Sequence, residues 1–147
     1  MKVKVKKTHP DAIVPQYATE GAACFDLHAL EGGEVGACSA GVPIRTGLSF
    51  EIPPGHVMRV YSRSGHGFKQ GIRLANSVGL IDSDYRGEVM VKLRNDSVLR
   101  FDYQPGDRIA QALIEPIDRA EFEVVDELSE TERGTGGFGS TGQAAAF

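Results

Sequence analysis

The chain has few of the groups that build metal or disulfide frameworks. It holds two cysteines in 147 residues, Cys24 and Cys38, and they form no CxxC pair. The four histidines, His9, His28, His56 and His66, are scattered without zinc-ligand spacing. A disulfide scaffold and a zinc module are thereby set aside, and two reduced thiols suit the cytoplasm. No apolar run approaches the ~18 residues of a membrane span. The basic start, MKVKVKK, is followed by no apolar signal-peptide core. We expect a soluble, cytoplasmic protein with no membrane partner. An excess of positive charge is missing too: the formal net charge is −4. The chain therefore has no global attraction to nucleic acid, and we expect no such partner. Any polyanion must bind at a compact local site, helped by a metal cation. There is no internal repeat, and the length suits one domain.

Glycine is abundant. Eighteen glycines and seven prolines cut the chain into short pieces. MKVKVKK alternates Val3 and Val5 with lysines, which is strand periodicity. GLSFEIPPG (47–55), HVMRVYSR (56–63), GEVMVKLRND (87–96) and RIAQALIEP (108–116) read as further strands; in the third, Val89, Val91 and Leu93 share a face. Short strands bounded by turns predict an all-β barrel or sandwich over residues 1–132. SGHGFKQG (64–71) suggests one turn of helix, and Glu121 to Val125 one more strand. The tail differs: RGTGGFGSTG (133–142) has five glycines in ten residues. It cannot bury a core of its own, and residues 133–147 are expected to be flexible.

Five stretches carry groups with chemical capacity. NSVGLIDSDYRGEV (76–89) reads as a buried hairpin with Asp82, Ser83, Asp84 and Tyr85 at its tip. Asp and Ser also make plain turns, but tyrosine is not a turn-tip residue. RSGHG (63–67) joins a guanidinium fork to a hydroxyl and glycine amides; it could hold phosphate, or be a glycine-rich turn with a solvated arginine. GDRIAQ (106–111) opens a strand with Arg108 and Gln111. At that spacing they face opposite sides, leaving one at the surface. CFDLHA (24–29) sets Asp26 between Phe25 and Leu27, either as a salt-bridged edge residue or as a functional anion. The tail lacks the lysine of a nucleotide-binding P-loop. It still combines Arg133, glycine amides, Phe138, Ser140 and Thr141, parts for gripping phosphate oxygens and stacking on a flat ring.

Together the stretches resemble the trimeric deoxyuridine triphosphatases (dUTPases), a family with five short motifs in fixed order. They match as AACFDLHA (22–29), YSRSGHG (61–67), NSVGLIDSDYRGEV (76–89), GDRIAQ (106–111) and RGTGGFGSTG (133–142). Cys24 stands where that family usually has glycine. The resemblance implies a jelly-roll-like β-barrel subunit of the β-clip kind, a homotrimer with active sites between subunits, and a C-terminal tail that closes over them. It implies cleavage of dUTP to dUMP and pyrophosphate with Mg²⁺. Asp82 would be the general base and Gln111 would orient water and phosphate. Asp26 would meet the metal through water. Arg63, Ser64, Gly65 and Arg108 would contact the phosphates. Asn76 would read uracil and Tyr85 would pack under the deoxyribose. Gly79, Met90, Gly137, Gly139 and Ser140 are also assigned to substrate, with Phe138 stacking on uracil and Arg133 on the γ-phosphate.

Two rivals compete. A dCTP deaminase of the same fold would need a glutamate near the base to relay protons to C4; Asp82 and Tyr85 fit the triphosphatase pattern instead. A non-catalytic dUTP-sensing module would not need all five motifs.

Overall fold

The structure, a computed structural model, describes residues 1–138 and Ser140. Gly139, assigned to substrate by the resemblance, and residues 141–147 lie outside the described residues. The elements are β1 (Lys4–Lys7), β2 (Phe25–His28), β3 (Gly33–Val35), β4 (Val42–Arg45), β5 (Leu48–Glu51), β6 (His56–Tyr61), α1 (Ser64–Gln70), β7 (Ile72–Leu74), β8 (Gly79–Ile81), β9 (Met90–Asn95), β10 (Phe101–Tyr103) and β11 (Arg108–Pro116). Five of the expected runs become strands, β1, β5, β6, β9 and β11. The helix is longer than the single turn expected. It is closed at Gly71, whose φ of 67° suits glycine and whose amide donates back to the carbonyls of Gly67 and His66.

All pairings are antiparallel. The strands form a four-stranded sheet in the order β2-β11-β6-β8, a three-stranded sheet β4-β9-β7, and two pairs, β1-β5 and β10-β3. The expected closed barrel is not formed: short strands with glycine and proline corners break the ladder into four sheets. Their inner faces meet in one core. Leu27, Leu48, Met58, Leu74, Val91, Leu93 and Ile109 are fully buried there, and burying such a side chain is worth about 1.5–3 kcal/mol. Thr46, Ser49 and Asn95 are buried polar residues among those described, and Asn95 is the most deeply buried. Its amide donates to the carbonyls of Val35 and Leu99 at 3.1 and 2.7 Å, and its oxygen accepts the Ser97 amide at 2.8 Å. Those bonds offset its desolvation.

Two expectations fail at one principle, that a strand needs a partner edge. Glu121 to Val125 forms no strand, and Phe122 and Val124 are almost wholly exposed. No strand of the described chain pairs with this stretch. The stretch around Asp82 is not a buried hairpin either. β8 pairs with β6, while β9 pairs with β4 and β7, so residues 82–89 cross from one sheet to another. Val78 and Leu80 are exposed on the way.

Candidate active site

β11 lies between β2 and β6, and Gln111 is opposite both Asp26 and Tyr61. Directly opposed residues share a face, so Asp26 and Gln111 are side by side. The sequence parity placed Arg108 on the other side. A bulge overturns that: Arg108 pairs with His28 and Ala110 already with Leu27, so Ile109 is the extra residue. Ile109 and Ala110 are both buried in succession, and the parity flips. Arg108 and Gln111 thus open into the same cleft.

That cleft is about 370 Å³ and is lined by Asp26, Arg63, Ser64, Gly65, Arg108 and Gln111, with Ala18, Ala22, Ala23 and Cys24. Arg63 follows the end of β6 as the residue that caps α1, and its backbone is still extended. Its Nε donates to Asp26 Oδ1 at 3.0 Å, and its Nη1 to the Arg108 carbonyl at 3.4 Å. Arg108 Nη1 donates to Asp26 Oδ2 at 3.5 Å. Gln111 Nε2 donates to the Ser62 carbonyl at 3.0 Å, and Ser62 Oγ accepts the Leu74 amide at 2.9 Å. Asp26 is therefore a salt-bridged residue on an edge strand, the first of its two readings.

Two histidines stand beside this cleft. Burial pushes His28 below the ordinary imidazole range; Arg108 and Arg63 push the same way, against the pull of Asp26. Burial lowers His66 too, with Arg63 adding to it. The Nδ1 atoms of both are buried without a partner. Burial, then the Asp26 charge, raises the Cys24 thiol.

The second cleft, about 260 Å³, is lined by Leu80, Ile81, Asp82, Tyr85, Glu88, Val89 and Met90. Among the described residues the Asp82 carboxylate makes no ion pair and accepts no hydrogen bond; its backbone carbonyl takes the Tyr85 amide at 3.2 Å. The Tyr85 hydroxyl donates to the Glu88 carbonyl at 3.2 Å. Gly87 lies under the ring: a Cβ there would sit 2.4 Å from the phenol oxygen.

The two clefts share no lining residue. Ile81 pairs with Met58, so extending the register sets Asp82 opposite Val57, at the start of β6. Arg63 follows its end. Six extended residues separate these points, roughly 20 Å. The chain alone does not bring Asp82 to Arg63.

Other expected residues join neither cleft. Asn76 lies in the exposed turn before β8, near Gly79, which backs onto Val60. In the tail, Arg133 Nε donates to the Gly136 carbonyl at 2.8 Å, and the Ser140 amide to the Gly137 carbonyl at 3.0 Å. Phe138 is fully exposed. Glu88 and Ser62 went unforeseen, since partners far apart in sequence leave no local signature.

Among the described residues no three of His, Cys, Asp and Glu gather as a metal cage. Asp26 alone could serve Mg²⁺. Mg²⁺ keeps several waters and is bound through one or two carboxylates plus substrate phosphates, so a full protein cage is not required.

Comparison with known proteins fits this arrangement. The dUTPase family model matches residues 10–142. The deoxyuridine 5′-triphosphate nucleotidohydrolase of Nautilia profundicola is 49% identical over 97% of this chain and 100% of its own length. That of Helicobacter pylori strain J99 is 44% identical over 99% and 100%. Among solved structures, the Staphylococcus bacteriophage 80alpha dUTPase with dUPNHPP superposes with a TM-score of 0.89 at 26% identity, covering 97% of this chain and 99% of that one. A mutant dUTPase of phage phi11, described with a structural Mg(II) ion, shares the fold at a TM-score of 0.80 and 22% identity, over 86% of this chain and 98% of its own. With five motifs in order and a matching model across nearly its whole length, the chain belongs to the dUTPase family.

Proposed function

We propose that the protein hydrolyses dUTP to dUMP and pyrophosphate in the cytoplasm, keeping uracil out of DNA and supplying dUMP for thymidylate synthesis. Its complete site joins the arginine cleft of one copy to the Asp82 cleft of another within a homotrimer. The observation that carries this reading is the separation of the two clefts at opposite ends of β6. Asp82 must act at the α-phosphorus, and the arginines must grip the same triphosphate. One chain spaces them too far apart, whereas a ring of identical chains can set one end against the other. The exposed Phe122 and Val124 lend support, since that stretch lacks a partner strand within the described chain.

Asp82, without an ion pair among the described residues, takes the proton of the attacking water. The new bond forms between that water oxygen and the α-phosphorus. The bond from the α-phosphorus to the bridging oxygen breaks, and the electron pair leaves with pyrophosphate. Gln111 orients water and phosphate. Arg63 and Arg108 stabilise the charge that develops on the phosphate oxygens, with Ser64 and Gly65 adding neutral donors. Asp26 would hold Mg²⁺ through water, and the ion would supply further neutralisation of the phosphate charge. Tyr85 packs beneath the deoxyribose and blocks a 2′-hydroxyl. Asn76 and backbone groups near Gly79 and Met90 read uracil. The tail closes over the site, Phe138 on uracil and Arg133 on the γ-phosphate, with Gly137, Gly139 and Ser140 against the phosphates.

The test is pyrophosphate release from dUTP, dTTP, dCTP and UTP, with and without Mg²⁺. Release confined to dUTP and dependent on Mg²⁺ is expected. Equal turnover of UTP, or deamination of dCTP, would contradict the proposal.

A further inference from the structure

The aromatic ring of Tyr85 is held by its neighbours in sequence. Its hydroxyl donates to the Glu88 carbonyl at 3.2 Å, and its ring lies on Gly87, where any Cβ would meet Cζ at 2.6 Å. The ring is thus positioned relative to the backbone of residues 87–88. That backbone crosses between sheets and belongs to no strand, so something else must fix it.

The anchor is the corner between β4 and β5. The Glu88 carboxylate takes a fork from Arg45, with Nη2 at 2.9 Å from Oε2 and Nε at 3.2 Å from Oε1. It also accepts the Gly47 amide at 2.8 Å. The next residue is tied to the same corner: the Val89 amide donates to the Leu48 carbonyl at 2.8 Å, and the Val89 carbonyl accepts Thr46 Oγ1 at 2.6 Å. The corner is itself stiff. Gly47 has a φ of 69°, and a Cβ there would come within 2.8 Å of Ala12 Cβ. The Glu88 side chain is largely buried. Burial opposes its charge, but the Arg45 hydrogen bond and the Gly47 amide outweigh that and hold the carboxyl below its ordinary range.

We infer that the Arg45–Glu88 pair is a positioning device for sugar discrimination. Arg45 does not line the cleft. It acts through Glu88, which locates the phenol and so sets how closely the ring approaches the sugar. Arginine is required because a fork fixes the direction of the carboxylate as well as its charge. The inference rests on the reading of Tyr85 as the residue beneath the deoxyribose.

The experiment measures kcat/KM for dUTP and UTP in the intact oligomer, with the melting temperature as a parallel reading. Arg45→Gln breaks the fork. It is expected to lower the dUTP/UTP ratio by about tenfold, as for a pocket that has lost part of its rejection of an added hydroxyl. Arg45→Lys keeps the charge without the fork and is expected to fall between. Tyr85→Ala serves as the reference and should lower the ratio most. A lower melting temperature with an unchanged ratio in Arg45→Gln would make the pair a mere staple and overturn the inference. Should Arg45→Gln fail to fold, Arg45→Lys and Tyr85→Phe decide by the same ratio. If Tyr85→Ala changes the ratio and no Arg45 variant does, the positioning role alone is overturned. If Tyr85→Ala leaves the ratio unchanged, the reading of Tyr85 fails, and the inference falls with it.

Discussion

In the cleft beside α1, the carboxylate of Asp26 meets two guanidinium groups; in the cleft between β8 and β9, that of Asp82 meets none among the described residues. The first cleft is cross-linked. Arg63 reaches across from β6 to β2 and β11, and Gln111 reaches back to Ser62. One carboxylate against two guanidinium groups leaves this cleft with an excess of positive charge. The second cleft has apolar walls, an aromatic ring and one unpaired carboxylate. The same residue type thus meets two different surroundings, towards opposite ends of β6.

The largest effect should come from removing the unpaired carboxylate. Asp82→Asn keeps shape and loses proton acceptance. Turnover should fall by about 10²–10⁴, with KM for dUTP changed little. Retention of more than about a tenth of the rate would remove the base from that cleft. Ending the chain at Glu132 should come next. It deletes Arg133 and Phe138 but no core strand, so the melting temperature should stay and turnover should drop about a hundredfold. A loss of folding would make the tail structural.

Arg63→Lys addresses the other cleft. It keeps the charge and loses the fork that ties Asp26 to the Arg108 carbonyl. We expect KM for dUTP to rise about tenfold and kcat to change less than in Asp82→Asn. The reverse order of effects would mean that the arginine cleft, and not Asp82, does the chemistry.

The smallest effect concerns pH. His28 and His66 sit beside the arginine cleft with folded values below the 6.5 of the free side chain. The unfolded chain therefore binds protons first. Stability is full above that value and is lost as pH falls through it towards the lower folded values. Melting temperatures from about pH 8 down to about pH 5 should decline on the acid side, and His66→Gln should shallow that decline. An unchanged slope would place the titration elsewhere.

Local patterns carried much of this. Alternation at Val89, Val91 and Leu93 located β9, and Pro116 marked the end of β11. What depended on distant partners was not visible. The bulge at Ile109 turned Arg108 towards Gln111 against simple parity. The adjacent apolar pair Ile109 and Ala110 was its only trace. The stretch from Glu121 to Val125 has strand-like alternation, but pairing is a property of two edges, and no described strand pairs with it. The crossing after β8 looked like a hairpin because both flanks are apolar; the choice of β6 and β4 as partners is made across the core. The motifs singled out Asp26, Arg63, Asp82 and Tyr85, and the structure has them lining two separate clefts. Arg45 and Glu88, far apart in sequence, had no signal at all.

The central claim is that a working site takes one cleft from each of two copies. Asp82→Asn chains and Arg63→Ala chains, each inactive alone, would be unfolded together, refolded, and sorted by mass into mixed assemblies. In a closed ring every mixed assembly has one junction where the intact arginine cleft of the first variant faces the intact Asp82 cleft of the second. The account predicts that mixed assemblies release pyrophosphate from dUTP well above both parents. Mixed assemblies no more active than the parents would mean that each chain carries its whole site, and would contradict the account.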